Sequence, residues 1–357
     1  MSAQKKVSYV CLSSNPVTAG GERYVNEFLA VIEEEGYSVH TCPLRETLPA
    51  WRRALVLPAG AWFSRQWIHS DFEFIFLPSH IHPWAFLARS AAGERKIPRL
   101  VFVPHMEHHH LRGLLQAVDR LAERIFYSKA DFVLTISEST AREVEEFGVP
   151  ASRIRIVPPG TDLPDESLRA PLRSEGILRL ITVGRCSPIK GYSHLLSAMA
   201  LLSDLPVSLF IIGNMQSNRR HFRSLQDQTS RLGLERRVHF LGAVEREEMW
   251  RRYRESDLAV SASLWEGYGI FIAEALAFGL PVVAADGGAV SELVSHGSNG
   301  LLVPPGDPKA LASAIRQLWG DRCLREEMGA RAKNSSPERP WSRVKGELRD
   351  MLREFSA

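Results

Sequence analysis

Residues 265–284 read Trp265-Glu266-Gly267-Tyr268-Gly269-Ile270-Phe271-Ile272-Ala273-Glu274-Ala275-Leu276-Ala277-Phe278-Gly279-Leu280-Pro281-Val282-Val283-Ala284. Two glycines precede an apolar helical run, Ile270–Phe278, and Gly279-Leu280-Pro281 then leads into a β-branched run, Val282–Ala285. Glycine and proline punctuate elements in this way, so the stretch predicts loop, helix, turn and strand in succession. A further short apolar run, Ala259–Ser261, stands just before it and completes a strand–helix–strand unit. These strand runs lack internal polar alternation, the pattern of strands covered on both faces. The fold class is therefore α/β, with parallel sheets flanked by helices.

The same alternation extends in both directions. Toward the N-terminus of this half, strands are predicted at Leu180–Val183, Val207–Ile212 and Val238–Leu241, and toward the C-terminus at Leu301–Val303. Helices are predicted near Tyr192–Leu202, His221–Leu232, Glu247–Arg254, Ser291–Ser295 and Ala310–Leu318. An earlier set of strands covers Val7–Leu12, Ser38–Cys42, Phe74–Pro78, Leu100–Val103, Phe132–Ile136 and Ile154–Val157, with helical stretches at Glu22–Glu35, Leu111–Tyr127 and Glu138–Phe147. Ser137 and Ser139 stand at the start of the last as candidate caps. Between the two sets, Pro158 to about Gly176 is rich in proline, glycine and charge and reads as a linker. The expected organisation is two tandem Rossmann-like doubly wound domains, residues 1–165 and 166–338, and a C-terminal amphipathic helix, 339–357, packing back on the N-terminal domain. A ligand is expected in a cleft at the carboxyl ends of the strands.

Composition narrows the function. A length of 357 residues suits two domains, and 45% hydrophobic with 24% charged residues is the balance of a globular enzyme rather than a disordered chain. No apolar run approaches the roughly 20 residues that span a bilayer. The short run Val7–Leu12 reads as a first strand rather than a signal segment. Four scattered cysteines, Cys11, Cys42, Cys186 and Cys323, give neither a disulfide framework nor a zinc motif, so a reducing, cytoplasmic setting is expected. A net charge of +3 is far from the basic excess of a nucleic-acid binder. Neither domain's first strand is followed by G-x-G-x-x-G, which argues against a nicotinamide dehydrogenase.

Three loops carry the candidate chemistry. Gly267 and Gly269 uncover backbone N–H groups at a helix N-terminus, a natural anion site, with Glu266 in the loop and Glu274 about one turn into the helix. Carboxylates beside such a site can accept hydrogen bonds from sugar hydroxyls. The loop Val183-Gly184-Arg185-Cys186-Ser187-Pro188-Ile189-Lys190-Gly191 follows the first strand of its domain, so Arg185 and Lys190 lie at the carboxyl edge of the sheet. Two cations there would hold a diphosphate and neutralise it as it leaves. Gly20-Gly21, after the first strand of the other domain, lets the backbone approach phosphate closely.

Together these elements resemble the retaining GT-B-fold glycosyltransferases of family 4 (glycosyl transferases group 1). The resemblance rests on Glu266-x7-Glu274 followed by Gly279-x-Pro281-Val282-Val283, with Val183-Gly184-Arg185, Lys190-Gly191, Phe240-Leu241-Gly242, Gly287-Gly288-x-x-x-Glu292 and Gly300-Leu301-Leu302-Val303 beside it. It spans nearly the whole chain and departs at Gly213-Asn214-Met215, where many relatives have a second glycine. It implies that Arg185 and Lys190 bind and stabilise the leaving diphosphate. Glu274 would bind the ribose hydroxyls and Glu266 the transferred sugar. Gly184, Gly267, Gly269 and Ile270 would line the phosphate and sugar pocket, Val244 would cradle the base, Gly20 and Gly21 would close on the phosphates, and His105 would stand beside the donor sugar. The implied reaction transfers a hexose from a UDP- or GDP-type sugar to a glycan or lipid-linked acceptor, with retention. It needs no cofactor or metal ion, in keeping with the lack of a D-x-D triplet.

Other features admit plainer readings. His105, His108, His109 and His110 would bind zinc only if the segment were helical, and no third ligand is evident. Trp51, Trp62, Trp67 and Trp84, interleaved with Arg45, Arg52, Arg53 and Arg65, suit either a buried stripe, a peripheral membrane contact on the inner membrane face, or a glycan-stacking groove. The helix at Leu111–Tyr127 adds Arg112, Arg120 and Arg124 to the membrane reading, while Asp119 and Glu123 dilute it. A same-fold epimerase, a phosphorylase, or a non-catalytic partner of an active transferase are the alternatives at this stage.

Overall fold

The structure is a computed structural model that describes residues 6–11, 20–43, 72–78, 99–103, 114–127, 130–161, 176–337 and 339–356. The tryptophan- and arginine-rich stretch, His105 with its neighbouring histidines, and most of the linker lie outside these residues. The chain divides into two compact units, one built of 21–158 with 1–17 and 342–357, the other of 159–341 with 18–20.

In the first unit six strands form one sheet in the order β2-β1-β3-β4-β5-β6: β1 Lys6–Cys11, β2 Ser38–Pro43, β3 Phe72–Pro78, β4 Arg99–Val103, β5 Phe132–Thr135 and β6 Ile154–Ile156. Every described pairing is parallel. Gly20 and Gly21 open the helix Gly20–Glu34, whose inward face buries Tyr24, Phe28, Val31 and Ile32. The spacing of these residues, three to four apart, is that of one helical stripe against a sheet. Ser137 caps Glu138–Glu146, its hydroxyl accepting the Thr140 N–H at 3.1 Å. The last helix, Trp341–Ser356, belongs to this unit from Ser342 onward. It buries Val344, Leu348, Met351, Leu352 and Phe355, and the Phe355 ring stacks on Phe132 at 3.8 Å. Its polar side pairs Lys345 and Arg349 with Glu27, Glu34 and Glu35.

The second unit repeats the plan with β7 Leu178–Val183, β8 Val207–Ile212, β9 Val238–Gly242, β10 Leu258–Ser261, β11 Val282–Ala285 and β12 Gly300–Val303, ordered β12-β11-β10-β7-β8-β9 and again all parallel. This is the order of a doubly wound dinucleotide-binding sheet, with its topological switch between β7 and β10. Alternate residues feed two cores. Leu180, Leu209, Val260 and Val283 pack toward the helices Tyr192–Leu201 and Pro308–Gly320. Ile181, Ile212, Ala259 and Val282 pack toward Ile270–Ala277. Burial on both faces explains why these strands read as unbroken apolar runs. The helix Arg322–Ser335 was not anticipated from the sequence, because its only buried positions are Met328, Gly329 and Ala332 in a charged segment. Asp321 caps it by accepting the Leu324 N–H at 2.8 Å.

Candidate donor site at the carboxyl ends of strands 7 and 10

The site is assembled by two loops on either side of the switch point. The chain leaves β7 at Gly184, whose N–H bonds the Ile212 carbonyl at 2.8 Å, and Cys186 N–H bonds Asn214 O at 3.0 Å. Asn214 also accepts the Gln216 N–H through its side chain at 2.9 Å. A short turn, Pro188–Lys190, then reaches Gly191, where φ is +63°. A Cβ there would collide with the Ala262 carbonyl, so both the left-handed backbone and the close approach require glycine. That approach lets Leu264 N–H bond the Ile189 carbonyl at 2.7 Å, lacing the loop after β7 to the loop after β10. Beneath them the buried Tyr192 hydroxyl donates to Gly184 O at 2.8 Å. Burial, then the charges of Glu266 and Cys186, raises its pKa, so it remains a donor.

Glu266 is fixed along its whole length. Its N–H bonds Gly287 O at 3.1 Å and its carbonyl accepts the Ala289 N–H at 2.8 Å. Its Oε1 accepts from Lys190 Nζ and from Ser263 Oγ, each at 2.6 Å. The Lys190 and Glu266 side chains are only 22% and 13% exposed, so solvent screens this pair less than it would a surface bridge. Three residues on, Gly269 adopts φ +95° and starts the helix Ile270–Ala277 with no side-chain cap. Ala273 N–H is the first to bond within the helix, to Gly269 O. The amides before it point out of the N-terminus, toward the position where an anion is stabilised. Glu274, on the next turn, is half-buried, and its Oε2 accepts from the Tyr253 hydroxyl at 2.8 Å.

The structure thus brings Lys190 and Glu266 into contact and sets Gly184, Gly267, Gly269, Ile270 and Glu274 on the same two loops and helix. Val244 is half-buried and packs on the core beside that helix. Arg185 differs from Lys190. Its side chain is exposed and makes no hydrogen bond or ion pair among the described residues. Gly20 and Gly21 start the helix Gly20–Glu34, and His105 lies outside the described residues. Two polar partners of the site were missed in the sequence, Ser263 and Tyr253. Ser263 stands three residues before Glu266 with no periodic signal, and Tyr253 is embedded in the charged run Arg251-Arg252-Tyr253-Arg254-Glu255. Among the described residues no group of three or more His, Cys, Asp or Glu side chains could hold a metal ion, and no helix is long and apolar enough to cross a membrane.

Comparison with known proteins gives one consistent answer. Residues 165–335 match the family described as glycosyl transferases group 1, and residues 7–164 match glycosyltransferase family 4. Among curated relatives, the D-inositol 3-phosphate glycosyltransferase of Nocardia farcinica is 32% identical over 66% of this chain and 55% of its own length. That of Corynebacterium urealyticum is 29% identical over 66% of this chain and 59% of its own length. The chain therefore spans little more than half the length of the curated relatives it matches. Among solved structures, sucrose-phosphate synthase from Thermosynechococcus elongatus superposes with a TM-score of 0.78 at 19% identity, covering 99% of both chains. Anabaena HepE in complex with UDP-glucose gives 0.72 at 21% identity, covering 98% of this chain and 99% of its own. These likenesses establish the GT-B fold, two tandem Rossmann-like domains. With both halves matched in sequence and the fold shared end to end, the chain belongs to the glycosyl transferases group 1.

Proposed function

We propose that this protein is a retaining hexosyltransferase that moves the sugar of a nucleotide-diphosphate donor, UDP-type before GDP-type, to a hydroxyl of a glycan or lipid-linked acceptor. The observation that carries the reading is the Lys190–Glu266–Ser263 cluster beside the uncapped Gly269 helix N-terminus. In the reaction the bond from the sugar's anomeric carbon to the diphosphate oxygen breaks and a bond from the acceptor oxygen forms on the same face. The negative charge grows on the diphosphate, where Lys190, exposed Arg185 and the first-turn amides around Ile270 stabilise it, and the departing phosphate takes the acceptor's proton. Glu266, its Oε1 already held by Lys190 and Ser263, presents a fixed acceptor to the sugar's ring hydroxyls. Glu274 takes the ribose hydroxyls, Val244 flanks the base, Gly184 and Gly267 line the phosphate path, and Gly20, Gly21 and His105 are the remaining donor contacts of this reading. No metal ion or other cofactor enters this scheme.

The UDP-type preference is supported by the UDP-glucose complex of the Anabaena relative. A cytoplasmic location, with peripheral contact at an anionic membrane face, belongs to the same reading. It is supported by the outer face of Leu114–Tyr127, where Leu121 and Ile125 are exposed beside Arg120 and Arg124. Incubating the full chain with each donor, with and without candidate acceptors, tests the proposal. Nucleotide diphosphate should be released only when both substrates are present, and the product's anomeric proton coupling should match the donor's. Donor interconversion without acceptor would identify an epimerase instead, and an inverted product would remove the retaining mechanism.

A further inference from the structure

The helix Ile270–Ala277 carries Phe271 and Glu274, and Phe278 is its C-cap. These positions, i, i+3 and i+7, share one helical face. A single side chain from another helix lies against all three. Tyr253, in the last turn of Arg246–Glu255, is fully buried. Its ring stacks on Phe278 at 5.0 Å and on Phe271 at 6.3 Å, and its hydroxyl donates to Glu274 Oε2 at 2.8 Å. Burial, followed by the charge of Glu274 and this bond, raises the Tyr253 pKa well above its ordinary value, so the phenol keeps its proton and remains a donor. A buried hydroxyl placed among apolar rings would weaken the core if it had no partner, so the carboxylate and the phenol require one another.

We infer that Tyr253 is a positioning residue for the nucleotide's ribose: by clamping Glu274 it fixes the carboxylate orientation that recognises the 2′- and 3′-hydroxyls, and so sets the preference for ribonucleotides over deoxynucleotides. The inference rests on the reading of Glu274 as the ribose acceptor. A free glutamate explores several rotamers, and restricting them before the ligand arrives removes an ordering cost from binding. Phe271 and Phe278 stack on the phenol ring, while the clamp on the carboxylate is the hydroxyl's own hydrogen bond. Tyr253 touches no substrate in this arrangement. Its effect is carried through Glu274.

The test compares the full-length protein with Tyr253→Phe, Phe278→Leu and Glu274→Ala. Affinities are measured for UDP or GDP, whichever binds tighter, for its 2′,3′-dideoxy counterpart, and for inorganic pyrophosphate. Tyr253→Phe should weaken the ribonucleotide about tenfold, the scale of one hydrogen bond to a charged group. It should leave the dideoxy nucleotide and pyrophosphate nearly unchanged, and it should raise the donor KM with kcat preserved. Phe278→Leu opens space in the same core without removing the hydroxyl. It should lower the melting temperature yet keep the ribose-to-dideoxy ratio of the wild type. The inference is overturned if Tyr253→Phe keeps that ratio, or if Phe278→Leu reduces it as far. Should Glu274→Ala itself keep the ratio, the ribose role of Glu274 fails, and the positioning role of Tyr253 with it. Failure of Tyr253→Phe alone leaves the Glu274 assignment standing.

Discussion

Glu266 shows how much local structure holds one loop carboxylate in place. Its side chain is held by Lys190 and Ser263, its main chain by Gly287 and Ala289, and the loop opposite can approach only because Gly191 has no side chain. The Gly191→Ala substitution should therefore cost about 1–3 kcal/mol, through the positive φ and the clash with Ala262 O. Because the displaced loop carries Lys190, activity should fall with stability, and a denaturant titration alongside a turnover assay checks both. The two carboxylates and two cations were legible in the sequence because glycine spacing and position after predicted strands marked them. Their unequal settings were not. Nothing in the residue order tells that Lys190 folds back onto Glu266 while Arg185 stays exposed, because that depends on which way the loop after β7 turns.

At the scale of elements, the C-terminal helix docks on its unit through an apolar stripe bordered by ion pairs. Arg155 pairs with Glu354 near the end of that helix. The hydrogen bond from Arg155 holds the Glu354 carboxyl below its ordinary pKa. A carboxylate depressed in the folded state contributes stability above its unfolded pKa and loses it as pH falls. Lowering the pH from about 6 to about 3 should therefore reduce the urea midpoint more in the wild type than in Arg155→Ala, which lacks the pair. Equal reductions would show that the pair adds nothing. Among the described residues, the strands of the second sheet were readable as apolar runs because both of its faces are covered. The helix Arg322–Ser335 was not, since it buries a narrow edge of Met328, Gly329 and Ala332 and leaves charged residues on the rest of its surface. Periodicity marks a helix only when one broad face is apolar.

At the scale of the whole molecule, the chain passes between its two units near Pro158 and again near Trp341. Within the second unit these passages meet. Thr161 N–H bonds the Arg339 carbonyl at 2.9 Å, and a Cβ on Gly160 would strike the Trp341 indole. Gly160→Ala should accordingly destabilise the protein by about 1–3 kcal/mol, read as a lower melting temperature, because a rigid ring in a packed site yields little. The linker's composition pointed to this junction, but the sequence held no sign that the tryptophan of a distant helix would cover it. The proposed transfer depends on Lys190 and Arg185 recognising a diphosphate. Calorimetric titration of the full chain with nucleoside diphosphate and monophosphate, in the wild type, Arg185→Ala and Lys190→Ala, tests this most directly. The wild type should prefer the diphosphate by about tenfold or more, and each variant should lose most of that preference while binding the monophosphate nearly as before. An undiminished preference for the diphosphate in both variants would contradict the account.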